Sequence, residues 1–266
     1  MKKCMVLESA GCAAALLLAG CFDVEQSLSL QRDLSGKAGF SMAVDLEPMV
    51  VIMASMQRSM AGKTGEPTPA EIEQGRKEFL EQQKKDDPAK KQQEVAEQKA
   101  QFERSLPPGV KLLSSSVDDQ GLKLVARFEF GFDDVRKLAR IKMPEKSGEG
   151  PGKNPYQEPF AGLKVVDEGS TLLVTLGGVD PASPMKNHGD PSGQGGQGAQ
   201  GAQSPEMQKA LLTAFQKARF AFRLDSPLEV VATNATRRDG HTLYWEIRAS
   251  DPGANLPQTL MARLKK

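Results

Sequence analysis

VKLLSSSVDDQGLKLVARFEF, residues 110–130, is the stretch that decides the fold. Beyond the reversal Asp118-Asp119-Gln120-Gly121, the residues Leu122, Leu124, Ala126, Phe128 and Phe130 take every second position. Such alternation sets one row of side chains on one face of a strand, and Asp and Gly are the residues a tight reversal selects. The segment reads as a β-hairpin with one buried face. Three other segments repeat the pattern. In the first, Val24, Leu28 and Leu30 precede Asp33-Leu34-Ser35-Gly36, and Phe40, Met42 and Val44 follow it. Another covers Leu163–Leu176 with its turn at Asp167-Glu168-Gly169-Ser170, and the last covers Leu228–Ile247 with its turn at Arg238-Asp239-Gly240. Four hairpins predict an α+β fold with a largely antiparallel sheet of about eight strands, one face buried and one wetter.

Helical signals lie between the hairpins. Pro48–Met60 carries Met49, Met53, Met56 and Met60 at helical spacing. Methionine is flexible and polarisable, so this stripe is either a core-filling face packed on the sheet or an adaptable ligand groove. Thr68-Pro69-Ala70-Glu71 has the form of a capping box, with proline suited to the first turn. The helix it opens, and a second one over about residues 89–104, are charged and poor in apolar positions. Such helices protrude or pack along a thin stripe. The helical insert spans about residues 47–105, and the helices pack on one face of the sheet. Phe132–Ile141 reads as a short amphipathic helix and Ser204–Lys217 as another. Residues 145–159 and about 180–204, the latter Gly- and Gln-rich, lack the apolar content that offsets ordering entropy and are expected to be disordered.

At the N-terminus, Lys2 and Lys3 precede a short apolar run that ends in Leu18-Ala19-Gly20-Cys21. That order is the pattern of a bacterial lipoprotein signal peptide. It predicts removal of residues 1–20 and lipidation of Cys21, whose thiol takes a diacylglyceryl group beside a palmitate-class acyl chain. The run is too short to span a bilayer, so the membrane is held through lipid alone. Phe22 in place of aspartate after the cysteine favours the outer membrane over the inner one where a host has both. Residues 21–266 are expected to form a single ectodomain.

The chain holds 35 basic and 34 acidic residues, and Lys2, Lys3 and Glu8 of the signal account for that difference. A balanced domain has no basic field to capture phosphates, which argues against nucleic acid. Of three cysteines, Cys4 and Cys12 leave with the signal and Cys21 is consumed, so no disulfide is expected. Two histidines, His188 and His241, are too few to suggest a metal centre. No Gly-x-Ser-x-Gly elbow is present, and Gly62-Lys63-Thr64 lacks the first glycine of a phosphate loop, Gln57 standing in its place. The pairs Asp118-Asp119 and Asp133-Asp134 suit turn formation and helix capping better than paired acid catalysis. No catalytic residue, cofactor or metal is expected, and Trp245 is expected in the core with Tyr244 facing outward.

Two stretches carry a family resemblance. Cys21-Phe22-Asp23-Val24-Glu25-Gln26-Ser27-Leu28-Ser29-Leu30 leads into Asp33-Leu34-Ser35-Gly36. Pro227-Leu228-Glu229-Val230-Val231-Ala232-Thr233-Asn234-Ala235 leads into Asp239-Gly240-His241-Thr242-Leu243-Tyr244-Trp245. Together they resemble the LppM-type bacterial lipoproteins, over about fifty residues at the two ends of the domain. The resemblance implies an envelope lipoprotein with an α+β ectodomain, no established enzymatic activity, and a lipid or glycolipid as a considered ligand. The chain departs from that pattern in its long helical insert and in a C-terminus, Asn255–Lys266, that ends in charges with no transmembrane helix. The expected function is a non-enzymatic, lipid-anchored envelope protein that binds a ligand or protein partner near the membrane. Two alternatives accompany it: an apolar-ligand or lipid carrier whose cleft is lined by Met49, Met53, Met56 and Met60, and an assembly factor of the envelope that docks another protein through the helical insert.

Overall fold

The computed structural model describes residues 21–84, 88–143, 158–177, 216–250 and 259–266. The signal segment, the Gly/Gln-rich stretch and most of the Ser204–Lys217 segment lie outside the described residues. Among the described residues, eleven strands form two sheets. The larger contains β1 (Cys21–Leu30), β2 (Gly36–Asp45), β3 (Val110–Asp119), β4 (Lys123–Phe132), β7 (Arg219–Asp225), β9 (Arg237–Asp239) and β10 (Thr242–Arg248). Their order is β3-β4-β2-β1-β7-β10-β9, with β1 at the centre. The smaller contains β5 (Leu163–Asp167), β6 (Thr171–Gly177), β8 (Glu229–Thr233) and β11 (Thr259–Lys265), ordered β5-β6-β11-β8. Every pairing among the described residues is antiparallel except β1 with β7, which is parallel.

The fold is α+β, and three of the four hairpins, β1–β2, β3–β4 and β5–β6, lie where the alternation places them. The fourth is corrected. Its incoming half, β8, leaves for the small sheet and pairs with β11, while the hairpin at Asp239-Gly240 joins β9 to β10 in the large sheet. The chain turns this corner at Asn234. Its backbone N–H donates to the Met261 carbonyl, its side-chain Nδ2 donates to the Thr259 carbonyl at 2.9 Å, and its Oδ1 accepts from the Met261 N–H at 2.8 Å and from Trp245 Nε1 at 2.9 Å. One side chain thereby ties the corner to β11 and to the tryptophan of the facing sheet.

The two sheets share one core. Val24, Leu28 and Leu30 of β1, Phe220, Phe222 and Leu224 of β7, and Leu243, Trp245 and Ile247 of β10 meet Leu172, Val174, Leu176, Leu260, Ala262 and Leu264 of the small sheet in a single apolar cluster. Burying large apolar side chains of this kind contributes about 1.5–3 kcal/mol each against exposure. The Phe132–Ile141 segment forms a 3-10 helix, Val135–Arg140, capped by Asp134 accepting from the Arg136 N–H, and it buries Val135, Leu138 and Ile141.

Three α-helices follow β2: α1 (Glu47–Met60), α2 (Pro69–Lys84) and α3 (Pro88–Ser105). Helix α3 delivers Phe102 to the core, edge-on to Phe128 and Phe130 at 5.8 and 6.0 Å. Helices α1 and α2 pack at Gly75, where a Cβ would touch Val50 Cγ1 at 3.6 Å. The capping box is formed: the Thr68 N–H donates to Glu71 Oε2 at 2.8 Å and the Glu71 N–H donates to Thr68 Oγ1 at 3.3 Å. Arg58 of α1 adds a bidentate pair to Glu71 at 2.9 and 2.8 Å.

The Thr68 backbone N–H, with the Thr68 hydroxyl and Arg58, outweighs partial desolvation and holds the Glu71 carboxyl at about 2, against an ordinary 4.5. A depressed carboxyl stabilises the fold fully above its ordinary value, and that contribution fades as pH falls toward the folded value. A pH titration followed by NMR at the Glu71 carboxyl carbon is expected to show a midpoint near 2. Arg58→Gln should raise that midpoint while leaving it below 4.5, because the Thr68 N–H remains.

Candidate functional site

Strand pairing decides which side chains share the outer face of the large sheet. On β1 the even residues from Val24 enter the core, so Asp23, Glu25 and Ser27 face out; on β7 the outward set is Arg219, Ala221 and Arg223. Register then lines them up across the sheet. One row runs Arg237, Tyr244, Arg223, Ser27, Gly39 and Glu129, and the next runs Glu246, Ala221, Glu25, Ser41 and Arg127. Small residues interrupt both rows: Ser27 and Gly39 in the first, Ala221 and Ser41 on either side of Glu25 in the second. Large sheets twist and coil, and a strip of small side chains between long ones leaves a trough. Its volume is about 800 Å³.

The charges in the trough divide into engaged and unengaged groups. Arg219 donates from Nη1 to both carboxylate oxygens of Asp23 at 2.9 and 3.0 Å and to Glu25 Oε1 at 2.7 Å, and its Nε lies 3.4 Å from Glu246. It spans β7, β1 and β10, including the parallel seam. The Glu25 hydrogen bond raises the Arg219 pKa above its ordinary value, and Arg248, followed by Arg219, lowers that of Glu246. Arg127 pairs with Asp118 at 2.6 Å and Glu129 with Lys37 at 3.5 Å. Arg237 lies over the Tyr244 ring, 3.9 Å from its centroid, in a cation–π contact. Among the described residues, neither Arg223 nor Arg237 forms an ion pair or side-chain hydrogen bond.

The structure sets the other candidates apart from this trough. Met56 and Met60 are exposed, at 46% and 86%, and Met49 and Met53 are half-buried; α1 buries Val50, Ile52 and Ala54 instead. None of the four methionines lines the trough or joins the central core. The core-facing expectation for the stripe is therefore corrected: α1 turns its β-branched residues inward. Asp119 Oδ1 accepts from the Gly121 N–H at the β3–β4 turn, and Asp133 pairs with Lys137 at 2.8 Å. These acidic pairs serve turns and caps. His241 is exposed near the Leu228 carbonyl, and His188 lies outside the described residues. Cys21 is the first residue of β1, opposite Asp45 in the register. Trp245 is 2% exposed and Tyr244 faces the trough, as their alternation on one strand requires.

Arg223 and Arg237 escape a linear reading. The β7 sequence RFAFRLD does signal an outward Arg219, Ala221 and Arg223, but its three-dimensional neighbours come from residues 196 positions earlier and from β10, with β9 beyond it. Only strand order brings them to one place.

The fold and its outer trough define an α+β sandwich domain with a depression lined by charged and aromatic residues. No protein-family model matches the chain, and no curated protein matches it. Among solved structures, it is similar to the folded domain of LppM from Mycobacterium tuberculosis, determined by NMR, with 12% identity and a TM-score of 0.40 over 92% of this chain and 90% of that one.

Proposed function

We propose that the chain is a lipid-anchored envelope protein without catalytic activity that binds a hydrophilic ligand on the outer face of its large sheet. The observation that carries this reading is the place of Cys21. The residue that the signal pattern marks for lipidation opens β1, the central strand of the seven. An anchor there joins the membrane to the middle of the folded body with no linker between. Ser27, in the arginine row, lies six residues further along β1, about 20 Å at ~3.3 Å per residue. The charged groups that line the trough, among them Arg127, Arg223, Arg237 and Glu129, support a hydrophilic ligand over an acyl chain, which has no use for them. The resemblance of both ends of the domain to LppM-type lipoproteins supports the envelope address.

The test is metabolic labelling of the full chain with an alkyne fatty acid in a bacterial host, followed by membrane fractionation. The wild-type chain is expected to carry label in the membrane fraction and Cys21→Ser to carry none. Label that survives in Cys21→Ser, or an unlabelled wild-type chain, overturns the anchor.

A further inference from the structure

We infer that the trough binds an acidic saccharide, a sugar chain bearing carboxylates, with Arg223 and Arg237 as its anion anchors. This deepens the ligand-binding reading above and rests on it. The first support is charge. Arg223 and Arg237 both lie opposite Tyr244 in the register, one on each side, so their backbones are two strand spacings apart, about 10 Å. Most of the acids nearest on the same face are occupied elsewhere, Asp239 on the short edge strand β9 being the exception. Glu25 and Glu246 are held by Arg219, Glu246 also by Arg248, and Asp225 accepts from the Thr242 hydroxyl. Two guanidinium forks are left on the lining of the depression, and such forks match carboxylates two oxygens at a time. The stacking of Arg237 on Tyr244 holds one fork in place before any ligand arrives.

The second support is the floor. Between Tyr244 and Arg127 the two rows carry Ser27, Gly39, Ser41 and Ala221 but no large apolar side chain. Protein interfaces draw their affinity from raised aromatic and aliphatic anchors, and acyl chains need apolar walls; the rings that line this depression, Phe40, Phe222 and Trp245, are turned into the core and at most 3% exposed, and Phe128 is half-buried against it. Serine hydroxyls and exposed peptide edges instead suit the hydroxyls of a sugar. The third support is size. About 800 Å³ far exceeds a single inorganic anion and falls in the range of organic ligand sites.

Isothermal titration of the full chain with a short polygalacturonate oligosaccharide tests the assignment, beside its neutral methyl ester, inorganic phosphate and anionic vesicles. The acid form is expected to bind, and the methyl ester to bind at least about tenfold more weakly. The double variant Arg223→Ala/Arg237→Ala should also lose at least about tenfold, while Lys164→Ala on the opposite sheet changes nothing. Arg223→Lys/Arg237→Lys keeps the charge without the fork, so it tests the same point should the alanine pair fail to fold; an intermediate loss is expected. No binding at about 1 mM, equal affinity for the methyl ester, an unaffected double variant, an equal loss in Lys164→Ala, or binding to phosphate or vesicles alone overturns the proposal. The Cys21 labelling is read separately: a chain that is labelled yet fails to bind the sugar leaves the anchor standing and rejects this site.

Discussion

Trp245→Ala is expected to destabilise the domain by about 3–5 kcal/mol, the range for deleting a large buried aromatic side chain. Trp245 is 2% exposed, packs on Phe222 with ring centroids 5.4 Å apart, and reaches across the sandwich to Asn234. Removing it opens a cavity between the sheets and frees the Asn234 carbonyl oxygen from one of its two donors. Trp245→Phe separates the two effects, because it keeps an aromatic ring and deletes the indole N–H. That variant is expected to lose about 1–2 kcal/mol, a net hydrogen bond plus a small void. Chemical denaturation of both variants checks the pair; an alanine loss below that of the phenylalanine variant would contradict a core role.

Gly36→Ala should be the next most damaging change, about 3 kcal/mol, at the upper end for overpacking. An ideal Cβ at Gly36 falls inside the van der Waals shell of the Ser29 carbonyl oxygen, which is backbone and cannot rotate aside. Gly36 is the register partner of Leu30, where the β1–β2 hairpin closes. The turn beside it is already demanding. Leu34 adopts a φ of 69°, held because Asp33 Oδ1 accepts from the Ser35 N–H at 3.1 Å and the Leu34 carbonyl accepts from the Val135 N–H at 2.9 Å. A shift at Gly36 therefore reaches the 3-10 helix through Leu34. Thermal or chemical unfolding measures the loss, and a Gly36→Ala protein as stable as wild type would show that the hairpin end relaxes freely.

Much of this fold is readable in one dimension because each strand with one buried face declares it. Phe128 and Phe130, or Leu172, Val174 and Leu176, alternate cleanly, and Thr68 to Glu71 announces a helix start. The partition into two sheets is not so readable. Both β8 and β10 alternate and are separated by Asp-Gly turn chemistry, so they look like one hairpin; the side chain of Asn234, bonded to β11, is what sends them to different sheets. Strands β7 and β11 alternate, but they pair only with distant segments and carry no turn of their own, so nothing local marks their place in the sheets. The methionine spacing misleads in another way. The period of 3.6 is obeyed, but Val50 and Ile52 bury and the methionines at the helix end stay outside. The site is the least legible part, since its arginine row draws on β9, β10, β7 and β1, and only register aligns them.

The position of β1 also sets how the molecule bears load. With the proposed anchor at Cys21, tension from the membrane would enter along the axis of the central strand. On one side the β1–β2 ladder holds ten residue pairs, and on the other the β1–β7 ladder holds seven. A pull along the strand shears these bonds together, in parallel, where a pull across an edge would peel them one at a time. The Arg219 grip on Asp23 and Glu25 sits at the mouth of that seam and resists the same sliding. On the proposed anchor, an envelope under mechanical stress would load the protein through a strand gripped on both sides.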